Sequence, residues 1–219
     1  MKNILVLGCG RVGRTICLDL ANKNSVTVAD ISENNLNKLR ESNINSVKMD
    51  LSNLTDLRKL INKFDLIISC VPGFMGFKTL QTIIEEGKNV VDISFFPEDA
   101  LELSELAKKK EITAIVDAGV APGLSNLILG YYNSIYNLSY YACYVGGLPI
   151  IKKPPFEYKA PFSPIDVIEE YTRPARLYEN YKIVTKDPLT EIEILNFEKI
   201  GDLEAFNTDG LRTLLFTMN

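Results

Sequence analysis

The sequence predicts an α/β protein whose first part is a doubly wound parallel sheet, on three observations. Short apolar runs alternate with stretches of helical spacing through residues 1–120. A glycine-rich stretch, Gly8-Cys9-Gly10-Arg11-Val12-Gly13, follows the first apolar run and opens the first helical stretch. Asp30 closes the second apolar run, about twenty residues beyond that loop.

Each element follows from its period. Residues 3–7 form a short apolar run that reads as a buried strand. Residues 12–22 place Val12, Ile16 and Leu20 on one helical face, with Cys17 beside them. A strand at 25–29 precedes a helix marked by Leu36 and Leu39 that ends near Ser42. A third strand at 46–49 leads to a helix striped by Leu54, Leu57, Leu60 and Ile61. The run 66–70 is almost continuously apolar, as expected for a strand covered on both faces. Helix 77–86 stops before Gly87, strand 90–93 follows, and helix 101–110 leads to a sixth strand at 113–116. Such alternation with right-handed crossovers leaves few topologies other than the doubly wound one.

The pattern changes near residue 120. The expected division is a nucleotide-binding unit over 1–120 and an incomplete α+β substrate or dimerisation unit over 121–219. In the second unit a helix is expected at 124–132 and a longer strand, rich in Tyr and β-branched residues, at 138–145. A proline-rich connector spans 149–164. Ser163-Pro164-Ile165-Asp166 reads as a helix start, with Ser as cap and Pro in the first turn, and that helix ends near Tyr171. Strands are expected at 182–185 and 191–195, and a helix at 211–217.

Composition narrows the function classes. The chain has 219 residues, a net charge of -4 and a pI near 5.1, so it offers no basic field to a nucleic acid. No apolar run has the length of a membrane span or a signal segment, so no membrane partner is expected. The spacing of Cys9, Cys17, Cys70 and Cys143 fits neither a zinc site nor a disulfide framework; no metal is expected, and a reducing cytoplasm fits best. The chain has no histidine, so acid–base work at neutral pH falls to Asp, Glu, Lys, Tyr, Cys or water.

The G-x-G-x-x-G pattern has the strand–turn–helix context that gives it meaning. Gly8 permits the tight turn, Gly10 lets a pyrophosphate approach the backbone, and Gly13 lets helix and strand pack closely. Together with Arg11 and Val12 they form the Rossmann phosphate loop, at a helix N-terminus that attracts anions. The Asp30 carboxylate accepts from an adenosine ribose and repels a 2′-phosphate, so NAD is expected over NADP. A flavodoxin-like sheet without a dinucleotide is the alternative. Asp50 reads equally as an adenine-side contact or as the cap of the helix at Leu54. Cys70, Val71 and Pro72 end the fourth strand, where they either flank the nicotinamide or only make a turn with Gly73.

Several stretches carry a family resemblance. They are Val90-Val91-Asp92-Ile93-Ser94, the run from Ala118 to Asn126 (AGVAPGLSN), Tyr144-Val145-Gly146-Gly147-Leu148-Pro149, the run from Glu169 to Arg176 (EEYTRPAR), Leu203-Glu204-Ala205-Phe206, and Thr208-Asp209-Gly210-Leu211-Arg212-Thr213. The sequence resembles the saccharopine dehydrogenase and reductase family, most closely its lysine 6-dehydrogenase-like branch. The resemblance implies an oxidoreductase that moves hydride between nicotinamide and the carbon of an amino acid's C–N bond, through an imine. It points to Asp92 as an acid–base or amine-binding group, with a strand-end turn or cap as the alternative. Asp117 is a weaker candidate for the same work, and reads first as a cap of the loop after it. Arg173 and Arg212 are candidates to fork a substrate carboxylate, with surface solvation or a structural ion pair as alternatives. Tyr158 and Lys159 are weaker candidates. The tyrosines at 131, 132, 136, 140 and 141 read as a sheet or interface surface.

The family's chains are longer, so this one is expected to end part-way through its second unit, with Leu214, Leu215 and Phe216 exposed. Uncovered apolar surface and open strand edges then predict a homodimer or larger homo-oligomer. Two readings follow: a working NAD-dependent amino-acid dehydrogenase taking a small-molecule substrate, or a shortened, non-catalytic nucleotide-binding remnant.

Overall fold

The computed structural model describes residues 2–155 and 157–218. The chain divides into two compact units, Met1–Ala118 and Gly119–Asn219.

The first unit is built on six parallel strands: β1 (Asn3–Leu7), β2 (Ser25–Asp30), β3 (Asn45–Lys48), β4 (Leu66–Ser69), β5 (Asn89–Asp92) and β6 (Ala114–Ile115). Their order in the sheet is β3-β2-β1-β4-β5-β6. It is an α/β sheet of Rossmann type. The pleat sorts its apolar residues by parity. Leu5 and Leu7 of β1 point into one core with Ala29, Ile67 and Val90, while Ile4 and Val6 point into another with Val26, Val28 and Ile68. Helices α3 (Leu54–Ile61), α4 (Gly73–Glu85) and α5 (Ser104–Lys109) pack residues such as Leu57, Leu80 and Leu106 on the first face. Helices α1 (Arg11–Leu20) and α2 (Glu33–Asn37) cover the second with Cys17 and Leu36. A strand buried on both faces must be apolar at every position, which is why these runs show no alternation in the sequence.

Three boundaries differ from expectation for local reasons. Helix α4 starts at Gly73, ahead of residue 77, because Pro72 stands at its N-cap position, where a missing N–H costs nothing. Helix α2 ends at Asn37, and residues 38–42 continue as turns. The helix expected at 101–110 is split. A 3-10 turn at Ala100–Leu103, capped by Asp99 through Leu101 N–H (2.9 Å), precedes α5.

The second unit holds α6 (Leu124–Asn133), α7 (Pro164–Thr172), α8 (Leu214–Thr217) and two antiparallel hairpins. The first pairs β7 (Ala175–Glu179) with β8 (Lys182–Lys186), and the second pairs β9 (Glu193–Phe197) with β10 (Gly201–Ala205). The strand expected at 138–145 does not form. No described strand pairs with that stretch in a ladder, and β-propensity alone does not hold a lone strand. Strands β7 and β10 were not expected. The β7–β8 turn is Asn180-Tyr181, both at positive φ, which gives the primed geometry without the usual glycine. Gly201, at φ +96°, supplies the left-handed residue that closes the second hairpin. Helix α7 begins at Pro164 as expected, but Ser163 makes no side-chain capping bond. Leu215 is buried, contrary to the expected exposed terminus, while Phe216 remains exposed.

Candidate functional site

The glycine loop is shaped by backbone contacts that a side chain would prevent. Gly8 sits at φ +99°, and a Cβ there would fall 2.6 Å from the Cys70 carbonyl oxygen. A Cβ on Gly13 would fall 2.1 Å from the Gly8 carbonyl oxygen. The start of α1 therefore lies against the end of β1, and that turn lies against the end of β4. Gly10 differs: a Cβ there would meet nothing within 4 Å. It is the N-cap residue of α1 and offers no side-chain cap, so the positive end of the helix dipole opens onto free space. A pyrophosphate fits that cradle. Arg11 and Val12 flank it on the exposed first turn.

Asp30 ties this loop to β2. Its Oδ2 accepts from Cys9 N–H and its Oδ1 from Ser32 N–H, both at 2.6 Å. Gly8 N–H donates to the Ala29 carbonyl at 2.8 Å. The Cys9 thiol lies buried behind the loop, its pKa raised by burial and by the Asp30 charge. Lys48 stands in register with Asp30 on the neighbouring strand, but its Nζ lies 2.9 Å from Glu33.

The remaining expected cofactor contacts divide. Cys70 N–H donates to the Leu7 carbonyl at 2.8 Å, and burial pushes its thiol well above the usual range. Val71 is buried and Pro72 starts α4, so this segment packs beside the glycine loop at the carboxyl edge of the sheet. The strand order reverses between β1 and β4, which is where ligands enter such sheets. Asp50 is exposed; its Oδ1 accepts from Ser52 N–H (2.9 Å) and Ser52 Oγ (2.7 Å), and those bonds hold its carboxyl below its ordinary pKa. It does not cap α3. Asn53 does, through Asp56 N–H.

Asp92 ends β5 and is fully buried. Its Oδ1 accepts from Ser94 N–H at 2.8 Å and its Oδ2 from Ser94 Oγ at 3.3 Å. Ser94 Oγ lies 3.4 Å from Ser69 Oγ on β4. Asp92 thus fixes the turn after its own strand. Gly76 of α4, not singled out in the sequence, makes room for that turn, since a Cβ there would lie 2.6 Å from Phe96 and 2.8 Å from Ser94. Asp117 is buried at positive φ.

The arginines of the second unit gather at Asp209, which is buried. Arg176 binds it in a fork, Nε at 2.8 Å and Nη2 at 2.7 Å. Arg173, also mostly buried, places Nη2 3.1 Å from Glu169 and Nη1 4.0 Å from Asp209. These contacts correspond to the ion-pair alternative for Arg173. Arg212 is buried, which removes surface solvation as its role. Arg176 and Asp209 were missed as a pair because they lie 33 positions apart with no local pattern between them. Lys159 N–H donates to the Gly147 carbonyl at 3.0 Å, and Tyr158 lies against Gly147. The rings of Tyr131, Tyr132 and Tyr136 pack on one another at the exposed end of α6, and none of the three lies in a described strand. Among the described residues no cluster of Cys, Asp and Glu is arranged to hold a metal, and no helix is long and apolar enough to cross a membrane.

The glycine cradle, the carboxylate behind it and the strand order define a dinucleotide-binding unit of Rossmann type. Residues 4–115 match the saccharopine dehydrogenase NADP binding domain, and residues 119–215 match the saccharopine dehydrogenase C-terminal domain. The chain belongs to the saccharopine dehydrogenase family. It is 28% identical over 200 residues to saccharopine dehydrogenase [NADP(+), L-glutamate-forming] of Schizosaccharomyces pombe, covering 85% of this chain and 44% of that one. It is 28% identical over 194 residues to the mitochondrial alpha-aminoadipic semialdehyde synthase of Mus musculus, covering 84% of this chain and 21% of that one. The chain thus spans less than half the length of these curated relatives. Its fold matches apo saccharopine dehydrogenase (L-Glu forming) from Saccharomyces cerevisiae with a TM-score of 0.68 and 21% identity, over 95% of this chain and 50% of that one.

The two inner glycines make opposite predictions. Gly13→Ala is expected to destabilise the protein by about 1–3 kcal/mol through overpacking. Gly10→Ala should leave stability within about 0.5 kcal/mol while weakening dinucleotide binding tenfold or more. Urea unfolding and titration of reduced-nicotinamide fluorescence read the two effects separately. Equal loss of stability in both variants would contradict the packing described.

Proposed function

We propose that the protein is an NAD-dependent oxidoreductase acting on the C–N bond of an amino acid, of the lysine 6-dehydrogenase or saccharopine dehydrogenase kind. Family membership supports the reaction class. The observation that carries the cofactor choice is the Asp30 carboxylate, fixed by Cys9 and Ser32 at the end of β2. The name of the Schizosaccharomyces pombe relative specifies NADP(+), yet a carboxylate at this position accepts from ribose hydroxyls and repels a 2′-phosphate. One neighbouring cation, Lys48, pairs with Glu33.

When bound, the nicotinamide would accept hydride from the carbon bearing nitrogen. The chain's own groups would do the rest. Gly8, Gly10, Gly13 and the first turn of α1, with Arg11 and Val12, would hold the pyrophosphate, and Asp30 the ribose. Cys70, Val71 and Pro72 would shield the nicotinamide half, and Asp50 would border the adenine. Asp92 would orient the amine from the carboxyl edge of β5, and Arg173 and Arg212 would bind the substrate's carboxylate.

The exposed apolar residues of α6 and the segment after it, among them Leu127, Ile128, Tyr131 and Ile150, support a homodimer or larger assembly through the second unit. The four free thiols suit the reducing cytoplasm.

Incubation with L-lysine or saccharopine and NAD+ should produce the 340 nm absorbance of the reduced cofactor, faster than with NADP+. Asp30→Ala should weaken NAD binding by about 1–3 kcal/mol. NADP+ working better than NAD+ would refute the cofactor choice. NAD binding without turnover of either substrate would leave a non-catalytic nucleotide-binding protein. Asp92→Asn should lower kcat more than cofactor affinity, and equal loss of both would assign it a purely structural role. Light scattering at micromolar concentration should show a dimer or larger species; a monomer would end the assembly proposal.

A further inference from the structure

Charged residues make up 24% of the chain, yet residues 119–151 contain none. Within that segment α6 turns its buried Leu129 and its half-buried Ser125 and Asn126 inward. Leu124, Leu127, Ile128, Tyr131 and Ile135 follow one another at helical spacing on the other side, and each is between 49% and 73% exposed. A helix lying on a soluble unit carries its charges outward and its apolar stripe inward. Here the outer face is the apolar one, and an apolar stripe of this extent marks a surface that another molecule covers.

Gly130 borders that stripe beside Leu127 and is itself exposed. It lies inside the helix, and a Cβ there would meet nothing within 4 Å. The unit's own packing therefore gives no reason for a glycine, which weakens a helix relative to alanine. A missing Cβ does let a second backbone come close. Neutrality narrows what that second backbone belongs to. A different protein can match each charge of a docking face with an opposite one, so such a face need not be neutral. About a two-fold axis, a residue near the axis meets its own copy, and any charge there faces its like. Self-pairing is what selects a surface cleared of both signs.

We propose that the outer face of α6 docks on the same face of a second copy of this chain, the two helices crossing at a two-fold axis near Gly130. This rests on the reading of the protein as a homodimer or larger assembly through the second unit. Leu127, Ile128 and Tyr131 fill the centre of the contact. The rings of Tyr132 and Tyr136, stacked with centroids 6.3 Å apart at the end of the helix, form its rim, where a phenol keeps its hydroxyl in water while its ring is covered.

The experiment is sedimentation equilibrium of the full chain at micromolar concentration, where the wild type is expected as a dimer. Leu127→Glu and Leu127→Lys, each alone, should weaken the dimer about tenfold or more, because each sets like charges across the axis. An equimolar mixture of the two should restore dimers, and salt should weaken the restored ones. Leu127 is 73% exposed, so neither variant disturbs the core, and far-UV circular dichroism checks that both keep the fold. Gly130→Ala is a second route: it should raise the melting temperature of the dilute monomer while weakening the dimer, a split that a glycine needed only for the unit's own packing would not give. A wild-type dimer that survives both Leu127 variants leaves the assembly reading standing, puts the interface elsewhere and overturns the α6 proposal. Variants that dissociate the dimer but do not pair on mixing overturn the two-fold arrangement. A monomeric wild type overturns the proposal and the assembly reading together. If that monomer sediments with phosphatidylcholine vesicles and Leu127→Glu does not, the stripe belongs to a lipid surface in place of a second copy.

Discussion

The approach of three backbone segments at Gly8, Gly13 and Cys70 is the constraint on which the first unit's site depends. Each Cβ omitted there lets one chain segment rest on another, and no side chain adjusts to relieve a backbone-to-backbone clash. The helix N-terminus, the turn after β1 and the end of β4 become one surface. Asp30 then fastens that surface to β2 through two charge-assisted hydrogen bonds, worth more than neutral ones because the acceptor is ionised. The same carboxylate thus joins the cradle to the second strand.

Much of the first unit was legible in the sequence because its physics is local or strictly periodic. Strands buried on both faces show as apolar runs, helices as stripes, and the phosphate loop as glycines at fixed offsets. What escaped depended on neighbours distant in the chain. Gly76 has no local signature, since its space is filled by Ser94 and Phe96 from the next strand's turn. Asp50 and Asn53 both qualify as caps by composition, and only the hydrogen bonds distinguish them. The residues expected to bind cofactor could be named individually, but their convergence could not, because it follows from the strand order.

The second unit was less legible. A tyrosine-rich stretch with high β-propensity found no described strand to pair with, whereas the charged residues of β7 found one through a two-residue turn lacking glycine. Arg173 was read as a candidate for a substrate carboxylate or a structural ion pair, and the structure places its Nη2 3.1 Å from Glu169 and its Nη1 4.0 Å from Asp209. The reversed faces of α7, with Asp166 buried and Ile165 and Ile168 exposed, were present in the sequence as an ordinary mixed helix. Only burial shows which side is inner.

The Arg176–Asp209 clasp has a consequence for how the second unit assembles. It joins positions 33 residues apart, and the loop it closes holds the second hairpin and all of the first but Ala175. Each hairpin pairs neighbouring segments and forms on a microsecond scale of about 1–10 μs. Once formed, the hairpins fold most of that loop back on itself, so the chain still free to wander is short when the guanidinium meets the carboxylate. The entropic cost of closure falls with the length of that free chain. A clasp made after the hairpins therefore costs less entropy to close than one made before them. Removing it should act mainly on how long the assembled unit persists, and little on how fast its parts first appear.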